Sequence, residues 1–265
     1  MKNNSYVNGN HVSYMYHPLE NKFCTKIKND PDLEGLVNFK QNEKLPIHSW
    51  YNFKEGYSAS LVDKMLDELR VKSNSLVLDP FAGSGTTLLS AQWRGMTSIG
   101  IDIDPFFTFV QQVKLDWYKY DANDVKREIA GIEDVNEEEK SILKPPELSS
   151  FNGAKNNVFT AQTLQELLLF KETIENIKNK DTKRLFKLAL ASILEPVSLV
   201  KKDGKGLKFN RRKKIPKVKR VILKKVQDML SDIKNLQVNP TVQKGDAKAF
   251  IGAHEGRRCH GKIEW

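Results

Sequence analysis

Residues 79–87, Asp-Pro-Phe-Ala-Gly-Ser-Gly-Thr-Thr, are the stretch of this 265-residue chain whose residue types and order most directly predict chemistry. They follow residues 76–78, Leu-Val-Leu, a short apolar run typical of a strand buried on both faces. Glycines can form the sharp turn that ends such a strand, and they leave room for a ligand against the backbone. A helix ending near Gly95 and a second strand over residues 97–102 are predicted next. In such a unit the ligand lies beyond the carboxyl ends of the strands.

The spacing of the glycines distinguishes between nucleotide ligands. A phosphate-binding P-loop needs a lysine after its second glycine, and no lysine lies between Lys72 and Lys114. A dinucleotide fingerprint needs a third Gly or Ala, whereas Leu88 follows the loop. An adenosine ligand without phosphates remains, because the ionised carboxylate of Asp102 only accepts hydrogen bonds and so suits ribose hydroxyls. S-adenosylmethionine fits this description.

Four segments resemble motifs of the DNA amino-methyltransferases, which methylate adenine N6 or cytosine N4. Residues 79–87 resemble the cofactor motif of that family, and residues 100–105 resemble its next motif. Residues 50–58 resemble the segment that closes over the methionine end of the cofactor. Residues 244–247 resemble the acidic motif that closes the third strand, whose carboxylate faces the adenine amino group.

The resemblance covers residues 50–117 and 245–250. It implies an α/β fold, namely the N-terminal part of a Rossmann-like S-adenosylmethionine-dependent methyltransferase fold with a helical insertion. It also implies S-adenosylmethionine as the cofactor, with Asp102 holding the ribose. The residues implied in cofactor binding are Phe53, Ser58, Asp79, Pro80, Phe81, Ala82, Gly83, Ser84, Gly85, Thr86, Thr87, Asp102, Ile103, Asp246 and Ala247.

The catalytic signature of the resembling family is missing from the sequence. That signature is Ser, Asn or Asp followed by Pro-Pro and an aromatic residue, which bind the target amine and stack on a flipped base. The one Pro-Pro pair of this chain, Pro145 and Pro146, is flanked by Lys144 and Glu147. We therefore assign no catalytic residue.

The end of the sequence supports the same expectation, because no apolar run after Phe250 could form another buried strand. We expect an interrupted gene product with an exposed apolar sheet edge that promotes aggregation. We also expect that the chain does not methylate DNA unaided and that a second polypeptide supplies the missing strands and catalytic half.

Positive charge is concentrated in one segment of the chain. The net charge is +10, and residues 201–225 contain thirteen Lys or Arg but a single acidic residue, Asp203. A cation-rich stretch with one aromatic residue, Phe209, suits phosphate contacts more than base reading. Beside a motif for nucleic-acid modification, this pattern favours DNA as the partner. The predicted DNA contacts are Lys208, Arg211, Arg212, Lys213 and Lys214.

Composition argues against several other classes of protein. An apolar content of 39% is enough to form the core of one α/β domain with an insertion. No segment approaches the ~18 consecutive apolar residues of a membrane span, so we expect a soluble cytoplasmic protein without a membrane partner. Cys24 and Cys259 give no disulfide framework. Cys259, His254 and His260 lack the paired spacing of a metal site, so we assign none.

The patterns predict four segments and a mainly helical insertion. The segments are an N-terminal arm (1–46), a cofactor-binding Rossmann-like half (47–120), a helical basic insertion (121–239) and a third-strand region with an atypical tail (240–265). Within the insertion, helices are predicted over residues 181–194 and 217–234, and a capping box at Thr163 to Glu166 predicts the start of another.

Three functions are consistent with these observations. The first is a site-specific DNA methyltransferase that transfers a methyl group from S-adenosylmethionine to an exocyclic amine of adenine or cytosine. The second is an RNA or tRNA base methyltransferase, since related cofactor loops occur there. The third is a catalytically inactive remnant or subunit that binds DNA or cofactor, which the missing catalytic tetrapeptide favours directly.

Overall fold

The computed structural model describes residues 21–26, 30–145, 158–202, 206–210, 212–238 and 244–252. The chain forms two compact units, Met1–Gly35 and Leu36–Trp265. Among its described residues the first unit contains the short 3-10 helix Pro31–Leu33, whose first N–H groups are capped by the side chain of Asp30. The elements that build the candidate site all belong to the second unit. The four segments predicted from the sequence are defined by their expected functions rather than by compactness, and they stay a prediction.

The second unit combines helices with two small sheets. Its described helices are α1 (Ala59–Glu68), α2 (Thr86–Trp93), α3 (Pro105–Leu115), α4 (Ala122–Glu133), α5 (Ala161–Glu175), α6 (Lys180–Ile193) and α7 (Val218–Gln237). Its strands are β1 (Leu76–Asp79), β2 (Thr97–Asp102), β3 (Val200–Lys202), β4 (Leu207–Phe209) and β5 (Ala247–Ile251). Short 3-10 helices are Phe39–Lys44, His48–Trp50 and Trp117–Lys119. None of the helices in the described ranges is both long and apolar enough to cross a bilayer.

The main sheet is parallel, with strand order β1-β2-β5. β1 pairs with β2 from Leu76 opposite Thr97 to Asp79 opposite Gly100. β5 pairs with the other edge of β2, and its last residue, Ile251, lies opposite Asp102. The parallel pairing with helices between the strands confirms the predicted α/β class, and the bounds of β1, α2 and β2 agree with the pattern of apolar runs and glycines.

One face of this sheet is covered by α1, α2 and α3. Val77 on that face packs against a cluster that Val62 and Leu66 of α1 form with Ala91 and Met96. Gly100 lets α2 lie directly on β2, since a Cβ atom there would be 2.5 Å from Cδ1 of Leu88. A larger residue at position 100 would therefore push the helix away from the strand.

The opposite face of the sheet is exposed. Leu76 is 61% exposed and Leu78 is 59% exposed, because both side chains alternate with Val77 and point away from the helices. Phe250 of β5 lies on the same exposed face and is 49% exposed. Within the described ranges, β1 pairs with no strand but β2. The prediction that residues 76–78 are buried on both faces is therefore wrong for these residues, since an apolar composition suits burial but burial also needs a covering layer.

The insertion forms a helical body that shares one apolar core with the sheet. Helices α4 to α7 pack on one another and on α3. Fully buried members of this core include Val113, Val125, Phe170, Phe186, Ile222, Val226 and Met229. The helices predicted at residues 181–194 and 217–234 are confirmed as α6 and α7. α5 starts earlier than predicted, because Thr160 rather than Thr163 caps it and accepts the Thr163 N–H at 3.0 Å.

Ile47, which precedes the sheet, has a strained backbone and is hydrogen-bonded to helix α7 of the insertion. Ile47 has φ of +59° although it is β-branched, and its side chain is fully buried. Its N–H donates to a carboxylate oxygen of Asp232 in α7 at 3.0 Å. The indole N–H of Trp50 donates to the same oxygen at 2.9 Å. This carboxylate therefore fixes residues 47–50 against α7.

The buried imidazole of His48 makes the stability of the fold depend on pH. Burial, and then the positive charge of Lys114, lower the pKa of His48 from 6.5 to about 3. Between about pH 3 and 6.5 the unfolded chain therefore binds more protons than the folded chain, so the free energy of unfolding falls as the pH falls through this window.

The variant His48→Gln tests this origin. Between pH 7.5 and 5.5 its free energy of unfolding should fall by about 1 kcal/mol less than that of the wild type, as measured by urea unfolding at both pH values. An equal loss in the variant and the wild type would contradict this origin.

Candidate cofactor-binding site

The turn between β1 and α2 requires glycine at two positions. Gly83 has φ of +47° and Gly85 has φ of +81°, both in the left-handed region that strains other residues. A Cβ atom on Gly83 would lie 2.9 Å from Cε1 of Phe53. The bare backbone at residues 83–85 is therefore a structural requirement of the turn, as the sequence predicts.

Asp102 closes the site from the end of β2. One oxygen of its carboxylate accepts the N–H of Gly83 at 2.8 Å, and the other accepts the N–H of Asp104 at 2.9 Å. The side chain is half-buried. A carboxylate has about four lone-pair positions, so these two bonds leave acceptor capacity for a ligand. The structure thus brings together the glycine turn and the acidic residue that the sequence placed on neighbouring strands.

Asp79 has a structural position within the turn. Its buried carboxylate accepts the N–H of Phe81 at 3.0 Å and the hydroxyl of Tyr57 at 2.9 Å. The same hydroxyl shares a hydrogen bond with the side chain of Thr87. Burial is the main reason that the pKa of Tyr57 rises to about 12, so the phenol stays protonated and able to donate. Tyr57 therefore fastens residues 50–58 to the turn.

The two residues predicted at the methionine end lie in different surroundings. Phe53 lies against Gly83 and packs on Phe107 with ring centroids 4.6 Å apart. Ser58 is buried and caps α1, where its hydroxyl accepts the N–H of Leu61 at 3.1 Å. Phe53 therefore borders the turn, whereas the hydroxyl of Ser58 is engaged by the helix.

Two exposed apolar side chains stand at the carboxyl edge of the sheet. Phe81 follows β1 and is 87% exposed, and Ile103 follows β2 and is 68% exposed. Ile103 follows Asp102 directly in the chain, and Phe81 lies at the end of the neighbouring strand β1. Exposed apolar side chains at the edge where a ligand is expected suit contact with a flat, apolar ring.

Asp246 and Ala247 lie elsewhere than predicted. Ala247 is the first residue of β5 and pairs with Ser98 near the start of β2. The carbonyl of Asp246 accepts the N–H of Ser98 at 2.8 Å. Asp246 therefore precedes the third strand of the parallel sheet and Ala247 begins it, so neither residue closes that strand. A strand of this length separates them by about 15 Å from the edge that carries Asp102, since each residue advances the chain by roughly 3.3 Å.

Two polar residues of α3 support the turn and were missed by sequence reasoning. The side-chain amide of Gln111 donates to the carbonyl of Gly83 at 2.8 Å. Lys114 is fully buried, and its ammonium group donates to the carbonyls of His48 at 3.1 Å and Ser84 at 3.3 Å. Burial, and then the charge of Lys225, lower the pKa of Lys114 to about 7. Their signal in the sequence is a polar pair three residues apart on the apolar face of a helix.

Asn42 is a third residue that sequence reasoning missed. Its fully buried side-chain amide donates to the carbonyl of Tyr57 at 2.9 Å and accepts the N–H of Ala59 at 2.8 Å. It also lies 3.5 Å from the hydroxyl of Thr86 at the start of α2. The amide therefore holds the entry to α1 beside the turn. An asparagine in a polar stretch gives no sequence signal for this role.

The predicted DNA contacts fall into two groups. Lys208 in β4, Arg212 and Lys214 are exposed. The ammonium of Lys213 is instead held by the main chain, since it donates to the carbonyls of Glu195 at 2.6 Å and Val200 at 2.9 Å. Arg211, Pro146 and the residues Cys259, His254 and His260 lie outside the described residues.

The parallel sheet, with helices between its strands, defines an α/β protein, and at the carboxyl edge of the sheet the glycine turn after β1 meets the carboxylate at the end of β2. A family model described as DNA methylase matches residues 3–112, which include β1, the turn and β2. The type II methyltransferase M.BsoBI of Geobacillus stearothermophilus is 33% identical over 210 residues, which cover 78% of this chain. The chain belongs to the DNA amino-methyltransferase family.

Other relatives extend the comparison. The type II methyltransferase M.AvaI of a Nostoc species is 28% identical over 204 residues, or 76% of this chain. The type II methyltransferase M.MjaII of Methanocaldococcus jannaschii is 34% identical over 136 residues, which are 48% of this chain and 24% of that protein. The chain spans 40% of the length of M.BsoBI and 41% of that of M.AvaI. No solved structure matches this chain.

Proposed function

We propose that this chain is the cofactor-binding part of a DNA methyltransferase that acts on an exocyclic amine, adenine N6 or cytosine N4. The observation that carries the proposal is the glycine turn at residues 83–85, closed by the carboxylate of Asp102 at 2.8 Å. The family and the type II methyltransferase names of its relatives support a DNA substrate. The sheet order and the site at its carboxyl edge support a Rossmann-like arrangement.

S-adenosylmethionine fits the residues at this edge. Gly83 and Gly85 carry no side chains, so the turn offers backbone that an adenosine can approach closely. The free acceptor positions of Asp102 suit ribose hydroxyls. Phe81 and Ile103 are exposed beside it and suit the faces of an adenine ring. When bound, S-adenosylmethionine supplies the methyl group that replaces a proton on the target amine.

The chain's own residues have defined roles in this proposal. Asp102 holds the ribose and the turn at once, and Phe53 borders the methionine end. Asp79, Thr86 and Thr87 keep the turn in shape through bonds to the chain itself. The remaining residues of the turn, Pro80, Ala82, Ser84 and Gly85, contribute backbone. Asp246 and Ala247 have no role at this edge, because they lie at the start of β5.

Removing the carboxylate of Asp102 tests the cofactor site. Asp102→Ala should weaken the binding of S-adenosylmethionine at least tenfold, since a charge-assisted hydrogen bond contributes about 1.5–3 kcal/mol. Asp246→Ala removes the same group at the other end of the sheet and should leave the affinity unchanged. Isothermal titration calorimetry measures both, and thermal melting checks the fold. Equal affinities for Asp102→Ala and the wild type would exclude this site.

The β3–β4 hairpin and the chain after it supply the proposed DNA-binding surface. Lys208, Arg212 and Lys214 are exposed there, in the most basic segment of the chain. Exposed cations gain affinity for DNA by releasing counterions from the phosphates. Lys213 contributes indirectly, because its bonds to Glu195 and Val200 fix the hairpin in place.

Charge reversal tests this surface. The triple variant Lys208→Glu, Arg212→Glu and Lys214→Glu should weaken DNA binding and lower the slope of log affinity against log salt by about 2 to 3, as expected for three lost phosphate contacts. The matched control reverses three exposed lysines elsewhere, Lys40, Lys126 and Lys178, with the same change in net charge. Fluorescence anisotropy over a range of salt concentrations measures both. Equal slopes in the two triple variants would rule out a specific surface.

We further propose that polypeptide outside this sequence covers the exposed face of the sheet and contributes the catalytic residues. Parallel sheets are normally covered on both faces, whereas Leu76 and Leu78 are more than half exposed. The unpaired edge of β1 in the described residues can accept a further strand. The curated relatives are more than twice as long as this chain's matching part. Such a polypeptide is either a continuation of the chain or a separate subunit.

The exposed face makes the isolated chain prone to associate. Sedimentation velocity should show association that increases with concentration, and Leu76→Lys with Leu78→Lys should suppress it. Leu69→Lys is the control, since Leu69 is 75% exposed at the end of α1, away from the sheet.

The purified chain should also transfer no labelled methyl group to DNA. A monomeric wild type at every concentration, or robust turnover by the chain alone, would contradict the proposal.

A further inference from the structure

A groove of about 670 Å³ lies outside the cofactor site. Its walls include Tyr51, Asn52 and Lys54, the carboxyl end of α6, and strand β3 together with Lys213. Residues 51–54 are the part of the chain that leads to the glycine turn, whereas the other two walls belong to the insertion. The groove therefore lies between the segment that leads to the glycine turn and the insertion, and neither the cofactor site nor the exposed hairpin surface accounts for it.

One wall of the groove is aromatic and continues to the glycine turn. The rings of Tyr51 and Phe106 both line the groove, with centroids 5.2 Å apart. Phe106 is followed by Phe107 at 5.7 Å, and Phe107 by Phe53 at 4.6 Å. Phe53 in turn lies against Gly83. Four aromatic rings therefore connect the groove with the cofactor site. Flat π-faces are the surfaces on which unpaired bases stack.

The mouth of the groove carries net positive charge. Lys54, Lys201 and Lys213 line it together with a single acidic residue, Glu195. Glu195 pairs with Lys54 at 3.8 Å. The ammonium of Lys213 donates to main-chain carbonyls, and the charge of Glu195 also acts on it, so one carboxylate faces three lysines. Positive charge in a concave, partly dehydrated site attracts an anion more strongly than the same charge on an open surface.

The inner end of the groove is apolar. A second cavity of about 350 Å³ adjoins it and shares Phe106, Phe159 and Leu194 as walls. The second cavity is lined mainly by aromatic and aliphatic side chains, with Lys171, Glu175 and Lys187 among its walls. A nucleotide has the matching polarity, with a flat base at one end and a phosphate at the other. The side-chain amide of Asn52, which also lines the groove, offers a donor and an acceptor for a base edge.

We propose that this groove binds one unpaired nucleotide of the DNA substrate, with its base on Tyr51 and Phe106 and its phosphate at Lys201 and Lys54. The proposal rests on the proposed function, because it assigns the groove to the same DNA. It adds a contact to the base itself, which the exposed cations of the hairpin do not provide.

The test uses a short single-stranded DNA that contains 2-aminopurine, whose fluorescence falls when the base stacks. Tyr51→Leu should abolish the quenching and weaken binding at least about fivefold, the lower range for one base–aromatic stack. Lys201→Gln, a surface change that spares the core, should weaken binding by a similar factor and lower the salt dependence. Tyr118→Leu and Lys234→Gln make the same changes outside the groove and should bind as the wild type does.

The outcomes separate this proposal from the proposed function. If both groove variants quench 2-aminopurine and bind DNA as the wild type does, the proposed nucleotide site is wrong. Tighter binding of RNA of the same sequence would also contradict it. Absence of DNA binding by the wild type would also overturn it. Calorimetry with S-adenosylmethionine is run on each variant. If the wild type does not bind S-adenosylmethionine but its quenching of 2-aminopurine still depends on Tyr51, the methyltransferase proposal is wrong and the nucleotide groove is supported.

Discussion

The buried ammonium group of Lys114 holds together parts of the chain that are distant in sequence. Its three donors reach the carbonyls of His48, Tyr51 and Ser84, so α3, the residues that precede the sheet and the glycine turn share one point of attachment. A buried charge costs several kcal/mol unless hydrogen bonds satisfy it, and removing it would leave three carbonyls without donors. Lys225 of α7 repeats the arrangement with the carbonyl of Ser49. Two lysines from different helices therefore hold residues 48–51, and one of them, Lys114, also binds the turn.

Local patterns were enough to predict the elements around the turn. The apolar run before Asp79, the paired glycines and the helix-ending Gly95 each act within a few residues, so β1, α2 and β2 follow from them with their bounds. Side-chain partners distant in sequence could not be predicted in this way. The position of Lys114 on the apolar face of a helix indicates that it is buried, but nothing local shows which three carbonyls surround it.

The errors have physical reasons as well. Thr160 and Thr163 lie three residues apart, and both are followed by helix-forming residues, so only the main-chain geometry decides which one caps α5. Asp246 was placed by a four-residue match, but the pairing of Ala247 with Ser98 makes Asp246 the residue before the strand. The β3–β4 hairpin has no alternating pattern, since its strands have three residues each and consist largely of lysine and apolar residues. Its position depends on Lys213 instead.

The left-handed backbone of Ile47 has a mechanical consequence. A β-branched residue in this conformation is disfavoured by about 1–3 kcal/mol, and here the carboxylate of Asp232 and complete burial keep it in place. The strain is thus stored at the joint between α7 and the chain that leads to the turn. If α7 moved away, the backbone at Ile47 would relax, and that relaxation would partly offset the bonds lost. The backbone strain at Ile47 therefore couples the position of the insertion to the conformation of residues 47–50.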